Sequence, residues 1–271
     1  MPAMTIGLSQ MNSRDNKQDN LAAAESSIEH LAKKGATLIM LPENFNFMGP
    51  EAVRRDNAEP LGQSPSLDRI RHLAARLKVH VHIGSFMEQD GSRFFNTGLV
   101  FDDTGEQIAR YRKIHLFDVE IPGGKSYRES DTISPGSELV TFSIGRFTFG
   151  MATCYDLRFP ELFRRLADMG ADVLLLPAAF TLQTGRDHWE LLLRARAVEN
   201  LCWVAAAGQW GPSPPDNLTF GRSMVINPWG LVVSQAPDGV STITAELDLD
   251  TMRGIRTRFP ARSHIRRDLF S

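Results

Sequence analysis

Short apolar runs alternate with amphipathic helical stretches along the whole 271-residue chain, and this restricts it to layered α/β architectures. Residues 5–10, 37–41, 79–85 and 173–176 read as strands. Residues 19–34 carry Leu21, Ala24, Ile28, Leu31 and Ala32 at helical spacing, and Gly35 ends the run. Residues 67–77 repeat that pattern, 160–169 stop at Gly170, and 187–200 set Trp189, Leu192, Leu193 and Ala197 along one side. Residues 94–101 and 107–112 flank the turn Asp102-Asp103-Thr104-Gly105, while 140–144 and 147–153 flank Gly145-Arg146; both pairs read as hairpins. Strands at 202–208, 220–227, 231–234 and 241–247 follow. So many strands crowd a single open sheet. Two mixed β-sheets packed face to face, with helices outside, bury both faces of each.

Loops are expected at 44–61, 117–136 and 211–218. The last holds Pro212, Pro214 and Pro215, which no strand or helix should run through. None has the composition of an interdomain linker, so residues 1–271 read as one domain. Lys plus Arg number 30 and Asp plus Glu 32, for a net charge of -2, which argues against nucleic acid or an anionic membrane as the main partner. No apolar run reaches the ~18 residues of a membrane span. The start, MPAMTIGLSQMNSRD, lacks a basic segment followed by a long apolar one, which argues against a signal peptide. With only Cys154 and Cys202, the chain is no disulfide scaffold and fits a reducing cytoplasm, where a cysteine is free to react.

Several motifs fail. Gly123-Gly124-Lys125-Ser126 ends like a phosphate-binding loop, but Val119 stands where its first glycine belongs. His80 and His82 share one side of a strand without a third ligand, so they read as packed histidines and no metal site is expected.

Cys154 is more informative. It ends an apolar strand and precedes the helix opened by Phe159-Pro160-Glu161. A strand-to-helix turn can present a thiol and an oxyanion-binding amide together. Alone, such a cysteine is more often a small buried residue. Glu43 in Leu41-Pro42-Glu43 and Lys113 in Tyr111-Arg112-Lys113 also stand where apolar strands stop. Each alone reads as a solvated charge; a carboxylate, an ammonium and a thiol at three rigid strand ends can converge on one crevice.

Leu41-Pro42-Glu43, Tyr111-Arg112-Lys113-Ile114-His115-Leu116 and Cys154-Tyr155-Asp156-Leu157-Arg158-Phe159-Pro160-Glu161 resemble, in order and spacing, the three signature blocks of the nitrilase superfamily of carbon–nitrogen hydrolases. Phe180-Thr181, Thr184-Gly185, His188-Trp189-Glu190, Arg194-Ala195-Arg196-Ala197 and residues 223–230 are most similar to the deaminated glutathione amidase branch, and the omega-amidase branch shares many of them. The resemblance implies a four-layer α-β-β-α sandwich, a Glu43-Lys113-Cys154 triad and a second glutamate, Glu129. It implies hydrolysis of an amide, of deaminated glutathione in particular, through a cysteine thioester. Residue chemistry then assigns roles: Cys154 as nucleophile, Glu43 as general base and acid, and Lys113 with the Tyr155 backbone N–H as oxyanion donors. Glu129 would keep Lys113 charged. Acyl transfer through a thioester has no redox step, so no cofactor is expected.

A substrate bearing carboxylates calls for arginines, and Arg128, Arg158, Arg186 and Arg222 lie in or beside the resembled blocks, with Thr184 a further candidate for binding substrate. Arg222 stands where the resembled branch has histidine, and Arg186-Asp187 where it has a small or proline-like pair. His188 and Trp189 read as packing residues. The competing readings are an omega-amidase acting on α-ketoglutaramate or a similar monoamide, a Cys154 hydrolase activated by His115 or His188, and a non-catalytic binding protein on the same scaffold. A homodimer or larger homo-oligomer is implied by the resemblance alone.

Overall fold

A computed structural model describes residues 3–120, 125–214 and 216–269; Gly123, Gly124 and Pro215, named above, lie outside them. One sheet has seven strands. Its order is Ser241–Asp248, Ala3–Gln10, Leu38–Met40, His80–His82, Arg93–Phe101, Phe86–Asp90, with Gln107–Arg112 also paired to Arg93–Phe101. The other has six, in the order Val232–Gln235, Met224–Ile226, Trp203–Gly208, Val173–Ala178, Phe147–Met151, Thr141–Ile144. Both are mixed: Ala3–Gln10, Leu38–Met40 and His80–His82 run parallel, as do Phe147–Met151, Val173–Ala178 and Trp203–Gly208, and antiparallel strands flank each set.

Three apolar clusters mark the interfaces of four layers. Ile6, Leu8, Leu38, Met40 and Tyr111 of the first sheet pack against Phe149, Val173, Leu175, Ala205 and Val225 of the second. The first sheet's other face, with Ile39 and Val81, packs on Leu21, Ile28, Ile70 and Leu73 of the helices Lys17–Lys33 and Pro65–Leu77. The second sheet's other face, with Leu174, Leu176 and Val204, packs on Leu162, Leu166, Trp189 and Leu193 of Pro160–Asp168 and Leu182–Asn200. Val173 and Leu175 thus face one core and Leu174 and Leu176 the other, which is why this strand is apolar without alternation. The expected α-β-β-α sandwich is the observed one.

Several local expectations fail. Trp210–Ser213 pairs antiparallel with Asn217–Phe220, so a strand does run through Pro212. The Trp210 N–H points out of the ribbon, to the Met11 carbonyl at 2.7 Å, so Pro212, two residues on, also faces away from the ladder and costs it no bond. Residues 220–227 do not form one strand. Gly221 and Arg222 both have positive φ, +72° and +56°, and turn the chain between the ribbon and Met224–Ile226. The last helix read from the sequence starts at Leu182 rather than at 187, with Thr181 in the N-cap position. The stretch read as a loop at 117–136 also contains a strand pair, Asp118–Glu120 with Ser126–Arg128.

Parallel strands joined by crossovers bring their carboxyl ends to one side of a sheet, where the following residues can meet. Leu38–Met40 leads to Glu43, Phe147–Met151 to Cys154, and Val173–Ala178 to Ala179. Gly84 makes room at the first of these ends. Its φ is +72°, and a Cβ there would lie 1.9 Å from the Pro42 carbonyl oxygen, so only glycine lets the chain pass so close to the segment carrying Glu43.

Candidate active site

Glu43, Lys113 and Cys154 meet in one cavity between the two sheets' strand ends, together with Glu129. Lys113 is buried. Its Nζ lies 2.7 Å from Glu129 Oε2 and 3.2 Å from Glu43 Oε1. Each carboxylate is fixed from a second direction. Glu43 Oε2 accepts the Ala179 backbone N–H at 2.7 Å, and Glu129 Oε2 accepts the Phe117 backbone N–H at 2.8 Å. Asn96 Nδ2 bridges them, donating to Glu43 at 2.8 Å and to Glu129 at 3.3 Å.

The electrostatics follow from this packing. Burial opposes the charge on Lys113, but the carboxylates of Glu129 and Glu43 outweigh it and hold the ammonium above the usual lysine range. Burial likewise works to raise Glu129, and the Lys113 charge and hydrogen bond overcome it, leaving the carboxyl below its usual range. Cys154 goes the other way. Burial and the Glu43 charge push its thiol well above the ordinary value, and Lys113 offsets only part of that. The resting sulfur is therefore a thiol and needs a base to become a nucleophile.

Cys154 has φ +49°, a left-handed conformation that costs a residue with a Cβ roughly 1–3 kcal/mol. The turn Cys154–Arg158 holds it there. Asp156 accepts the Thr153 backbone N–H at 2.8 Å, and the Thr153 side chain completes a capping box with the Asp156 backbone. Asn44, next to Glu43, is also left-handed at φ +56° and takes the Ser85 hydroxyl as its backbone acceptor at 3.1 Å.

The other residues singled out from the sequence divide clearly. Tyr155, Arg128 and Thr184 line the cavity, and Thr184 shares a 2.7 Å hydroxyl contact with Thr181. Arg158 lies outside the cavity lining, with its guanidinium against His188 Nδ1 at 3.4 Å and over the Tyr155 and Phe180 rings. Arg222 is also outside the lining. Its guanidinium pairs with Asp238 at 3.0 Å, and its carbonyl takes the Trp189 indole N–H at 2.8 Å. Trp189 is fully buried in the helix-facing core, as a packing residue should be. His115 does not face the thiol; its Nδ1 lies 2.8 Å from Asp156 and its ring stacks on Phe159. His82 is buried, its Nδ1 accepts the Gly84 N–H, and burial pushes its pKa down to about 3.

Sequence reasoning missed Asn96, whose mid-strand position gives no local signal, and the backbone donors of Phe117 and Ala179. It also missed Arg54, at the end of the short helix Glu51–Arg54, which lines the cavity beside Met48.

A carbon–nitrogen hydrolase family model matches residues 5–257, and the chain belongs to that family. It is similar to a deaminated glutathione amidase of Synechocystis sp. (strain PCC 6803 / GT-S), 38% identical over 260 residues, covering 94% of this chain and 95% of the relative. It is also similar to an omega-amidase of Danio rerio, 36% identical over 272 residues, covering 100% of this chain and 98% of the relative. Among solved structures, the Caenorhabditis elegans NitFhit protein matches with a TM-score of 0.93 and 38% identity, over 100% of this chain and 67% of that one.

Proposed function

We propose that the cavity is the active site of an amidase that cleaves its substrate through a thioester on Cys154. One observation carries this reading: a buried ammonium held between two carboxylates, with a neutral, conformationally constrained thiol beside them. Glu43 takes the thiol proton as sulfur attacks the amide carbon. Lys113 and the Tyr155 backbone N–H receive the developing oxyanion. Glu43 then protonates the leaving amine and activates water against the thioester, which returns the thiol. Glu129 keeps Lys113 charged and aimed. No step is routed through a metal or an organic cofactor.

Deaminated glutathione is the proposed substrate, and its hydrolysis gives 2-oxoglutarate and cysteinylglycine. The similarity to deaminated glutathione amidases supports this choice. The omega-amidase reading keeps the same chemistry with α-ketoglutaramate as substrate and has its own support among the relatives. Comparison of kcat/KM for the two substrates separates them, and the proposal expects the larger value for deaminated glutathione. A histidine-activated cysteine has no support in the geometry, because His115 is engaged by Asp156 and His188 by Arg158.

The reading places the enzyme in a reducing cytoplasm, where Cys154 and Cys202 remain the free thiols they are here. It extends to a homodimer or larger homo-oligomer. Leu191 and Val198 of the helix Leu182–Asn200 are exposed, Val198 packs beside Gly230, and the exposed Trp229 meets Phe259 edge-on at 5.7 Å; exposed apolar side chains of this kind support self-association. Among the described residues no helix is long and apolar enough to cross a membrane.

A further inference from the structure

Charge bookkeeping inside the cavity leaves two cations unspent. The charge of Lys113 is already met by Glu43 and Glu129, and its remaining N–H faces the reacting carbonyl in the proposed mechanism, so it does not also neutralise a carboxylate at the far end of a substrate. Any acidic substrate entering beside those glutamates meets repulsion that another cation must offset. Two arginines line the cavity, Arg54 and Arg128. Across the molecule, Arg69, Arg76, Arg112, Arg196, Arg222 and Arg256 are each held by a carboxylate. Among the described residues, the guanidinium groups of Arg54 and Arg128 make no hydrogen bond or ion pair, although the Arg128 backbone pairs with Asp118 in the strand ladder. They differ in setting: Arg128 is exposed, whereas Arg54 is half-buried. A guanidinium offers five donors in a planar fork that fits a carboxylate, and a half-buried one with none of them used is poised for an incoming acceptor.

We propose that Arg54 is the specificity-determining residue of this site, binding the distal carboxylate of an acidic amide while the amide carbon lies against Cys154. The inference deepens the amidase reading and rests on it. The substrate class it names is a monoamide with a carboxylate at the end remote from the scissile bond. Arg54 lies on the Glu129 side of the cavity, where its charge contributes to holding that carboxyl ionised. An acyl chain reaching from Cys154 past Lys113 and Glu129 would bring its free carboxylate to that wall. Arg128 lies at the rim and supplies a second, solvated charge.

The test compares Arg54→Gln and Arg54→Lys with the unaltered enzyme on glutaramate and on neutral butyramide, with glutarate binding measured by calorimetry alongside. A charge-assisted bidentate contact is expected to set the ratio of kcat/KM, acidic over neutral, so Arg54→Gln should lower it about 10- to 100-fold, chiefly through KM. Arg54→Lys should recover part of the loss, and glutarate should bind Arg54→Gln more weakly by a similar factor. An unchanged ratio in Arg54→Gln overturns the proposal and leaves the amidase reading standing. If the unaltered enzyme releases ammonia from neither amide, the amidase reading fails on these substrates and the glutarate titration still decides Arg54: equal binding to enzyme and variant, or no binding to either, overturns the proposal.

Discussion

The Tyr111 hydroxyl donates a 2.6 Å hydrogen bond to Asp156, and through it the strand that ends in Lys113 is tied to the turn that carries Cys154. Asp156 is fully buried and also accepts the backbone N–H of Thr153 and of His115, so residues on both sides of Lys113 and of Cys154 converge on one side chain. The spacing between Lys113 and Cys154 is set here, at a side chain outside the cavity.

Loss of that side chain leaves a buried phenol and two backbone donors without acceptors. Asp156→Ala is therefore expected to destabilise the protein by about 3–5 kcal/mol, and Tyr111→Phe by about 1–3 kcal/mol, since Asp156 keeps its other donors. Urea unfolding measures both. A near-normal midpoint for Asp156→Ala would show that the tie carries no weight.

The pH dependence of Cys154 alkylation should move in opposite directions in two variants. A thiolate is disfavoured by the neighbouring Glu43 charge and favoured by Lys113. Glu43→Gln should bring alkylation by iodoacetamide to lower pH, and Lys113→Met should take it to higher pH. Shifts of the same sign, or none, would place one of these charges away from the sulfur.

On the proposed role of Lys113 as oxyanion donor, kcat of Lys113→Met should fall about 100- to 1,000-fold. The substitution also leaves Glu43 and Glu129 facing each other in a buried site, a change that costs about 3–5 kcal/mol where one partner of a buried pair is lost. The double change Lys113→Met with Glu129→Gln should recover part of the thermal stability and none of the rate. Recovery of rate would mean that the ammonium acts only by holding the fold.

His82 supplies an acid-sensitive element. Its pKa in the fold is about 3, below the ordinary histidine value near 6.5, because burial disfavours the charged ring. Between those pH values the unfolded chain binds the extra proton, so this contribution to stability is complete above about pH 6.5 and drains as pH falls toward 3. The loss is on the order of 4 kcal/mol at the lower limit. His82→Gln keeps an acceptor for the Gly84 N–H and cannot titrate there. Its melting temperature should fall less than that of the unaltered protein between pH 6 and 4; parallel declines would assign the acid sensitivity to other groups.

What could be read from the chain beforehand was local. Val173–Ala178 showed itself as a strand by an unbroken apolar run, and Glu43, Lys113 and Cys154 showed themselves by standing where such runs stop. What was hidden depends on pairing across the fold. Asn96 reaches Glu43 over 53 positions, and the Ala179 N–H reaches the same carboxylate over 136, so neither leaves a mark near its own place in the sequence. Arg222 was expected at the cavity because of its neighbours in the chain. Two successive left-handed residues turn that segment, and Asp238 takes the guanidinium instead. The segment around Arg54 reads as loop, and only folding brings its side chain to the cavity wall.

Acyl transfer to Cys154 is the central step of the proposed reaction. Enzyme mixed with deaminated glutathione and quenched in acid within milliseconds can be weighed intact and then mapped by peptide. The predicted result is a 2-oxoglutaryl group on the peptide containing Cys154, present during turnover and gone when substrate is exhausted, with Cys154→Ala folded, unmodified and inactive. Near-normal hydrolysis by a well-folded Cys154→Ala protein would contradict it.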